Sequence, residues 1–156
     1  MKISIQASTE KDLEVFFLNQ TDETANYMAA FTPKNSSDKT AYLKKWRGLL
    51  NQEAVNMQSI LLEDRVIGCV VKFIMTREAQ LTYAIAKPYW GKGIATEALK
   101  QFLTIEATRP IFGRVAFDNY GSQRVLQKAG FRKIGKDHFF ANARGKEIEE
   151  FIYRLD

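Results

Sequence analysis

Pro88-Tyr89-Trp90-Gly91-Lys92-Gly93-Ile94-Ala95-Thr96-Glu97-Ala98-Leu99 is the stretch on which the reading of this chain turns. Ahead of it, the larger apolar residues of Leu81-Thr82-Tyr83-Ala84-Ile85-Ala86 alternate as in a strand, and Pro88 closes that strand because it has no N–H to give to a sheet ladder. Behind it, Ile94, Ala98, Leu99, Phe102 and Leu103 recur at helical spacing, so the glycines occupy a strand-to-helix turn. Two glycines there let the backbone approach an anion closely, the unpaired amides of the first helical turn point outward, and the helix dipole favours negative charge. Lys92 adds a cation and Thr96 a hydroxyl, both suited to a pyrophosphate. The same letters also suit a tight turn in which glycine serves geometry alone. A dinucleotide-binding GxGxxG is excluded because Thr96 stands where glycine or alanine is needed, and no GxxxxGK followed by Ser or Thr occurs, so triphosphate hydrolysis has no support.

Working outward, Arg114 to Phe117 reads as a short strand, Asp118 or Asn119 as a cap, and Ser122, Val125, Leu126 and Ala129 as the inward stripe of a helix ended by Gly130. Phe131 to Phe140 and Ile148 to Leu155 read as two further strands, joined by a turn rich in Asn142, Arg144 and Gly145. Upstream, Met57 to Leu62 and Val66 to Met75 form a hairpin around Glu63-Asp64-Arg65. Before them, Ser36 or Ser37 can cap a helix carrying Tyr42, Leu43, Trp46, Leu49 and Leu50, and residues 21–38 read as irregular around Pro33. Lys2 to Ala7 alternates as a first strand, and Thr9 with Asp12 resembles a capping box for a helix bearing Leu13, Phe16 and Phe17. The order β-α-α-β-β-β-α-β-α-β-β implies an α/β (α+β) fold: a mixed sheet of about seven strands with helices on both faces. No repeat or linker divides it, so residues 1–156 are expected to form a single domain.

At 156 residues the chain has the size of one compact core, and 46% hydrophobic with 26% charged residues excludes a disordered or fibrous class. No apolar run reaches the length of a membrane span, and Met1-Lys2 leads directly toward a strand rather than a signal-peptide core, so a soluble, cytoplasmic protein is expected. One cysteine, Cys69, forms no internal disulfide, and with a single histidine, His138, there is no zinc-ligand cluster; no metal is expected. A net charge of +5 and a pI near 9.3 suit a polyanionic partner, either a nucleotide cofactor or RNA, and equally a diffusely basic surface. RNA has only the pI in its favour, since no RNP-like strand, KH loop or basic run is present.

Trp90 to Ala95 resembles the acyl-CoA pyrophosphate loop of the GNAT acetyltransferases, whose usual form is Gln or Arg, two residues, Gly, one residue, then Gly or Ala. Gly93 and Ala95 hold the last two fixed places, and Trp90 replaces the usual Gln or Arg. A second block, Asn119-Tyr120-Gly121-Ser122-Gln123-Arg124-Val125-Leu126-Gln127-Lys128-Ala129-Gly130-Phe131, resembles that family's later helix. Trp90, and Ser122 three residues after Asn119, resemble the branch of ribosomal-protein N-terminal acetyltransferases (RimJ/RimL-like). The resemblance implies a GNAT fold with a twisted, mostly antiparallel sheet, acetyl-CoA as cosubstrate, and two strands that splay to admit the pantetheine arm. It implies that backbone groups of Ala84, Ile85 and Ala86 pair with the arm, that Trp90, Gly91, Lys92, Gly93, Ile94, Ala95 and Thr96 hold the pyrophosphate, and that Asn119, Ser122 and Arg124 also contact the cofactor.

The implied reaction is direct attack of a neutral amine on the thioester. Where many members carry a Glu base and a Tyr acid, this chain has Gln80 and Leu126, neither able to transfer a proton. Ser122, with Asn119, is then the candidate for hydrogen bonding the departing thiolate; packing or CoA contact is its other role. Cys69 reads as core, and His138 has no evident carboxylate partner. Presenting a neutral lysine at pH 7 costs about 4.6 kcal/mol and an α-amine only about 1.1 kcal/mol, which favours a low-pKa acceptor such as a peptide N-terminus unless Glu78, Glu147 or Glu149 supplies a base. The acceptor site is expected along Tyr27 to Phe31, Trp46 and the final hairpin, which leaves peptide, antibiotic, polyamine and amino-acid amines open, as well as an acyl-CoA-binding module without catalysis. The sequence is compatible with a homodimer and does not fix the oligomeric state.

Overall fold

Glycine decides how the middle of the sheet is built. In the computed structural model, which describes residues 2–156 and so leaves Met1 outside, β3 (Arg65–Met75) pairs antiparallel with β4 (Glu78–Ile85), and Gly68 lies opposite Ile85. A Cβ on Gly68 would stand 2.1 Å from the Ala84 carbonyl oxygen, so only a residue without a side chain lets β4 fold this closely onto β3.

Around that pair, β1 (Ile3–Ala7) and β2 (Asn56–Leu62) extend the sheet on one side, and β5 (Ile111–Ala116), β6 (Arg132–Ala141) and β7 (Lys146–Leu155) on the other, in the order β1-β2-β3-β4-β5-β7-β6. All pairings are antiparallel except β4 with β5, which are parallel and touch only at Ala79–Ile111, Gln80–Phe112 and Leu81–Gly113. Beyond Leu81 and Gly113 the two strands part.

Among the described residues five α-helices cover the two faces: α1 (Asp12–Gln20), α2 (Glu23–Ala29), α3 (Lys39–Leu50), α4 (Ile94–Ile105) and α5 (Tyr120–Lys128). Alternation along the strands sends Ile60, Val70, Leu81 and Ile85 against Ile94, Leu99, Phe102 and Leu126 of α4 and α5, and Ile67 joins them because the β2–β3 ladder slips by one residue there. On the other face Met57, Cys69 and Val71 meet Leu13, Phe16 and Leu43 of α1 and α3. Asp12 anchors α1: its carboxylate accepts from the Thr9 N–H (3.1 Å) and the buried Ser59 hydroxyl (2.7 Å). That is the backward half of the expected capping box; no side chain caps this helix from the front.

Several expectations are corrected. Residues 21–38 are not wholly irregular, because α2 forms there with Asp22 as its cap, making the order β-α-α-α-β-β-β-α-β-α-β-β. α3 is capped by Asp38, whose side chain accepts from Ala41 N–H, rather than by Ser36 or Ser37. β4 starts at Glu78, three residues before the expected run, after a two-residue turn in which Thr76 and Arg77 both take left-handed φ angles. β5 starts at Ile111 and ends at Ala116. Gly130, at φ 98°, closes α5 with the two bonds of a Schellman motif, Phe131 N–H to Leu126 C=O and Gly130 N–H to Gln127 C=O, each 3.0 Å.

Candidate active site

The gap left by β4 and β5 opens onto the glycine loop. Lys87–Tyr89 makes one 3₁₀ turn, and the indole N–H of Trp90 folds back to donate to the Ile85 carbonyl (2.9 Å), pinning the end of β4 to the start of the loop. Gly91 and Gly93 adopt φ of 73° and 77°, with open space where a Cβ would project. The first helical bond of α4 runs from Glu97 N–H to Gly93 C=O (3.1 Å), which leaves the amides of Ile94, Ala95 and Thr96 without acceptors in the helix. Lys92 is exposed beside these amides, and neither it nor Arg124 or Lys128 makes an ion pair among the described residues. An exposed, positively polarised loop at the mouth of a cleft suits the diphosphate of coenzyme A.

Inside the cleft, Ala86 N–H donates to Ile67 C=O (2.9 Å), so that group belongs to the β3 ladder and is not free to pair with a bound arm. Backbone groups alternate along a strand, which turns those of Tyr83 and Ile85 toward the gap and those of Ala84 toward β3. Across the gap stands α5. Asn119, not Asp118, is its cap: its side-chain oxygen accepts from Ser122 N–H (3.3 Å) while its amide nitrogen donates to Met28 C=O (3.3 Å). Ser122 is thereby fixed at the first turn, and its hydroxyl accepts a hydrogen bond from Tyr83 (2.9 Å). Burial pushes the Tyr83 phenol up to about 12, with the Ser122 bond pulling the other way.

A clamp fastens this corner. Arg144, whose side chain is 2% exposed, makes a bidentate pair with Asp118 (2.9 Å twice), donates to Tyr27 C=O (2.6 Å), and stacks on the Tyr27 ring at 3.9 Å. It joins α2, the β6–β7 turn and the start of α5, and it holds the Asp118 carboxyl below the usual carboxylate range.

The helix-α1 face of the gap carries two adjoining cavities that share Phe31 and Thr32. One, of about 280 Å³, is lined by Phe16, Tyr42, Trp46, Cys69 and Ala84 among others; the second, of about 560 Å³, by Met75, Arg114, Phe139, Phe140, Asn142 and Glu150. Phe31 lines both cavities, Trp46 the first and the last hairpin the second; of the two only the first reaches β4, at Ala84. Arg114 pairs with both Glu150 (3.1 Å) and Asp137 (3.2 Å). Glu150 is 8% exposed, and burial raises its pKa despite the Arg114 bond that opposes the shift.

The carboxylates named from the sequence lie elsewhere: Glu78 and Glu147 are exposed, and Glu149 is tied to Lys136 (2.7 Å), which lowers its pKa. Gln80 and Leu126 are each 3% exposed and contribute no proton-transferring group to the cleft. His138 is exposed on the edge strand β6. Cys69 is buried, its thiol pushed up to about 12 by desolvation. Two residues escaped the sequence reading. Glu150 had a usable signal, since it stands two residues after Ile148 on the inward side of a strand; Tyr83 had none, because its partner is 39 residues away.

A strand-to-helix glycine loop beside a sheet opened between β4 and β5 defines the class of architecture, and comparison with known proteins gives the family. Residues 2–132 match the acetyltransferase (GNAT) domain, and the chain belongs to that family. It is 28% identical over 110 residues to "Uncharacterized N-acetyltransferase p20" of Bacillus licheniformis, covering 64% of this chain and 61% of that protein. It is 42% identical over 82 residues to "Probable N-acetyltransferase YjcK" of Bacillus subtilis (strain 168), covering 47% of this chain and 45% of that protein. The chain thus spans about half to three fifths of the curated relatives it matches. Its fold is that of RimL, a ribosomal α-N-protein acetyltransferase solved with coenzyme A, at a TM-score of 0.83 with 16% identity over 99% of this chain and 94% of that one. No helix among the described residues is long and apolar enough to cross a membrane.

Proposed function

We propose that this chain transfers an acetyl group from acetyl-CoA to a primary amine by direct attack of the amine on the thioester. The observation that carries the reading is the coincidence of a sheet opened between β4 and β5 with a glycine loop of unpaired amides at its mouth. Trp90, Gly91, Lys92, Gly93, Ile94, Ala95 and Thr96 take the diphosphate, with Arg124 as a further cation; Tyr83, Ala84 and Ile85 border the arm. Asn119 holds Ser122, which faces the sulfur and hydrogen-bonds the thiolate as it leaves. The two cavities on the α1 side receive the amine.

The acceptor is a low-pKa amine, foremost a peptide N-terminus. Gln80 offers no base, and a side-chain amine would have to surrender its proton at about 4.6 kcal/mol against about 1.1 kcal/mol for an α-amine at pH 7. The relative RimL carries an α-N-protein acetyltransferase name, which agrees with that preference. Thiol release from acetyl-CoA, measured with an unblocked peptide, an N-blocked lysine peptide and a panel of small amines, tests the reading. Turnover of the α-amine above the lysine amine is expected; a strong lysine preference defeats the acceptor assignment. Coenzyme binding without thiol release from any amine favours instead a binding module, the reading to which the neutral Gln80 and Leu126 point.

A further inference from the structure

We infer that Tyr83 is a positioning residue: its hydroxyl, by donating to Ser122 Oγ, commits the Ser122 proton to the sulfur of coenzyme A, an inference that rests on the function proposed above. The geometry is local and complete. A serine hydroxyl has one proton and two acceptor lone pairs, and left alone it rotates among whatever partners are near. Here the Ser122 backbone N–H donates to the Asn119 side-chain oxygen (3.3 Å), which holds the residue in place, and one lone pair of its hydroxyl is filled by Tyr83 (2.9 Å), which stands on β4 directly across the gap. With Tyr83 donating, Ser122 has its own proton left to give, and the received bond polarises that O–H and makes it a better donor.

The Tyr83 hydroxyl is the donor in this bond. Tyr83 lies among partly buried residues packed on the α4–α5 core, where the phenolate is disfavoured, so the phenol keeps its proton throughout. When the tetrahedral intermediate collapses, the C–S bond breaks and its electron pair goes to sulfur. Ser122 stabilises that thiolate by hydrogen bonding, the amine proton leaves to solvent, and Tyr83 neither gains nor loses a proton. The device thus supplies from a β-strand what the buried, apolar Leu126 does not supply from the helix.

Coenzyme A itself is the probe, with acetyl-CoA, which has no ionisable thiol, as the control. Calorimetric affinities are measured for both from about pH 7 to pH 9.5, across the ordinary thiol pKa near 8.5, on wild type, Tyr83→Phe, Ser122→Ala, Ser122→Thr and the Tyr83→Phe/Ser122→Ala double variant. In wild type the preference for coenzyme A over acetyl-CoA grows as the thiol ionises. That growth is expected to shrink about 3- to 10-fold in Tyr83→Phe, vanish in Ser122→Ala, survive in Ser122→Thr, and be no worse in the double variant than in Ser122→Ala. With an acceptor in hand, Tyr83→Phe lowers kcat by a larger factor than it changes the acetyl-CoA KM.

A Tyr83→Phe protein with the wild-type pH dependence overturns the inference, as does a double variant whose loss is the product of the two single losses. Both leave the proposed function standing. Failure of the wild-type protein to bind either form of the coenzyme overturns both together.

Discussion

Replacing Gly68 by alanine probes the architecture that holds the gap open. The new Cβ would lie 2.1 Å from the Ala84 oxygen, 2.7 Å from Ile85 Cγ2 and 2.8 Å from Ile85 Cα, all below the closest approach that packed atoms tolerate. Two of these atoms are backbone, so β4 itself must move. Overpacking of this kind costs about 1–3 kcal/mol, and the stiffer unfolded chain of alanine returns about 0.4–1 kcal/mol. A net loss of about 1–2 kcal/mol corresponds to a Tm lowered by roughly 3–8 °C in a chain of this size. The displaced residues are those bordering the gap, so acetyl-CoA should also bind more weakly, with KM raised more than kcat is lowered. Gly113→Ala is the matched control: the atoms nearest its Cβ belong to the Leu126 side chain, with the two methyls at 3.0 and 3.2 Å, and no backbone atom is among them. Differential scanning calorimetry and steady-state kinetics on the two proteins give the answer. If Gly68→Ala equals wild type in both Tm and acetyl-CoA KM, the account of β4 is wrong.

Three other outcomes are expected. Arg144→Met removes the partner of the Asp118 carboxylate and frees α2 from α5; because Asp118 is 28% exposed, water offsets part of the loss, and a cost of about 1–3 kcal/mol is expected, seen as a Tm drop of roughly 3–10 °C. Because Arg144 depresses the Asp118 pKa, the stabilisation is present above the unfolded carboxylate value near ~3.9 and fades as pH falls through the lower folded value, so the acid limb of the stability curve should flatten in that variant. Gly93→Ala has room for its methyl but pays about 1–2 kcal/mol for left-handed φ, and is expected to raise the acetyl-CoA KM several-fold while leaving acceptor KM unchanged, as initial-rate kinetics would show. Cys69, buried and with its thiol at about 12, should resist a thiol reagent at pH 8 in the native protein and react fully once unfolded, as followed by mass spectrometry.

Elements that bury a regular stripe were legible from the letters: Tyr42, Leu43, Trp46, Leu49 and Leu50 announce α3, and Ile94, Ala98, Leu99 and Phe102 announce α4. α2 was not, because it buries no residue of its own. It is held instead by contacts from far along the chain: Asn119 to Met28, Arg144 to Tyr27, Lys87 to Thr24. The β3–β4 turn was hidden for a related reason, since Thr76 and Arg77 take left-handed φ without the Asn-Gly or Gly signature that advertises such turns. In the site, the glycine loop is local and could be read directly. Whether Asp118 or Asn119 caps α5 could not be, because Arg144 decides it by taking Asp118 for itself. The Tyr83–Ser122 bond and the burial of Glu150 depend on which strand faces which helix, and only the assembled sheet shows that.

Titration of the purified protein with acetyl-CoA, read by calorimetry and by the shift in Tm, bears most directly on the central claim that the loop from Gly91 to Ala95 binds the coenzyme's diphosphate. Saturable binding with stabilisation of about 2.7 kcal/mol at a hundred times Kd, weakened in Gly93→Ala, is the expected result. No heat and no change in Tm at millimolar acetyl-CoA would contradict it.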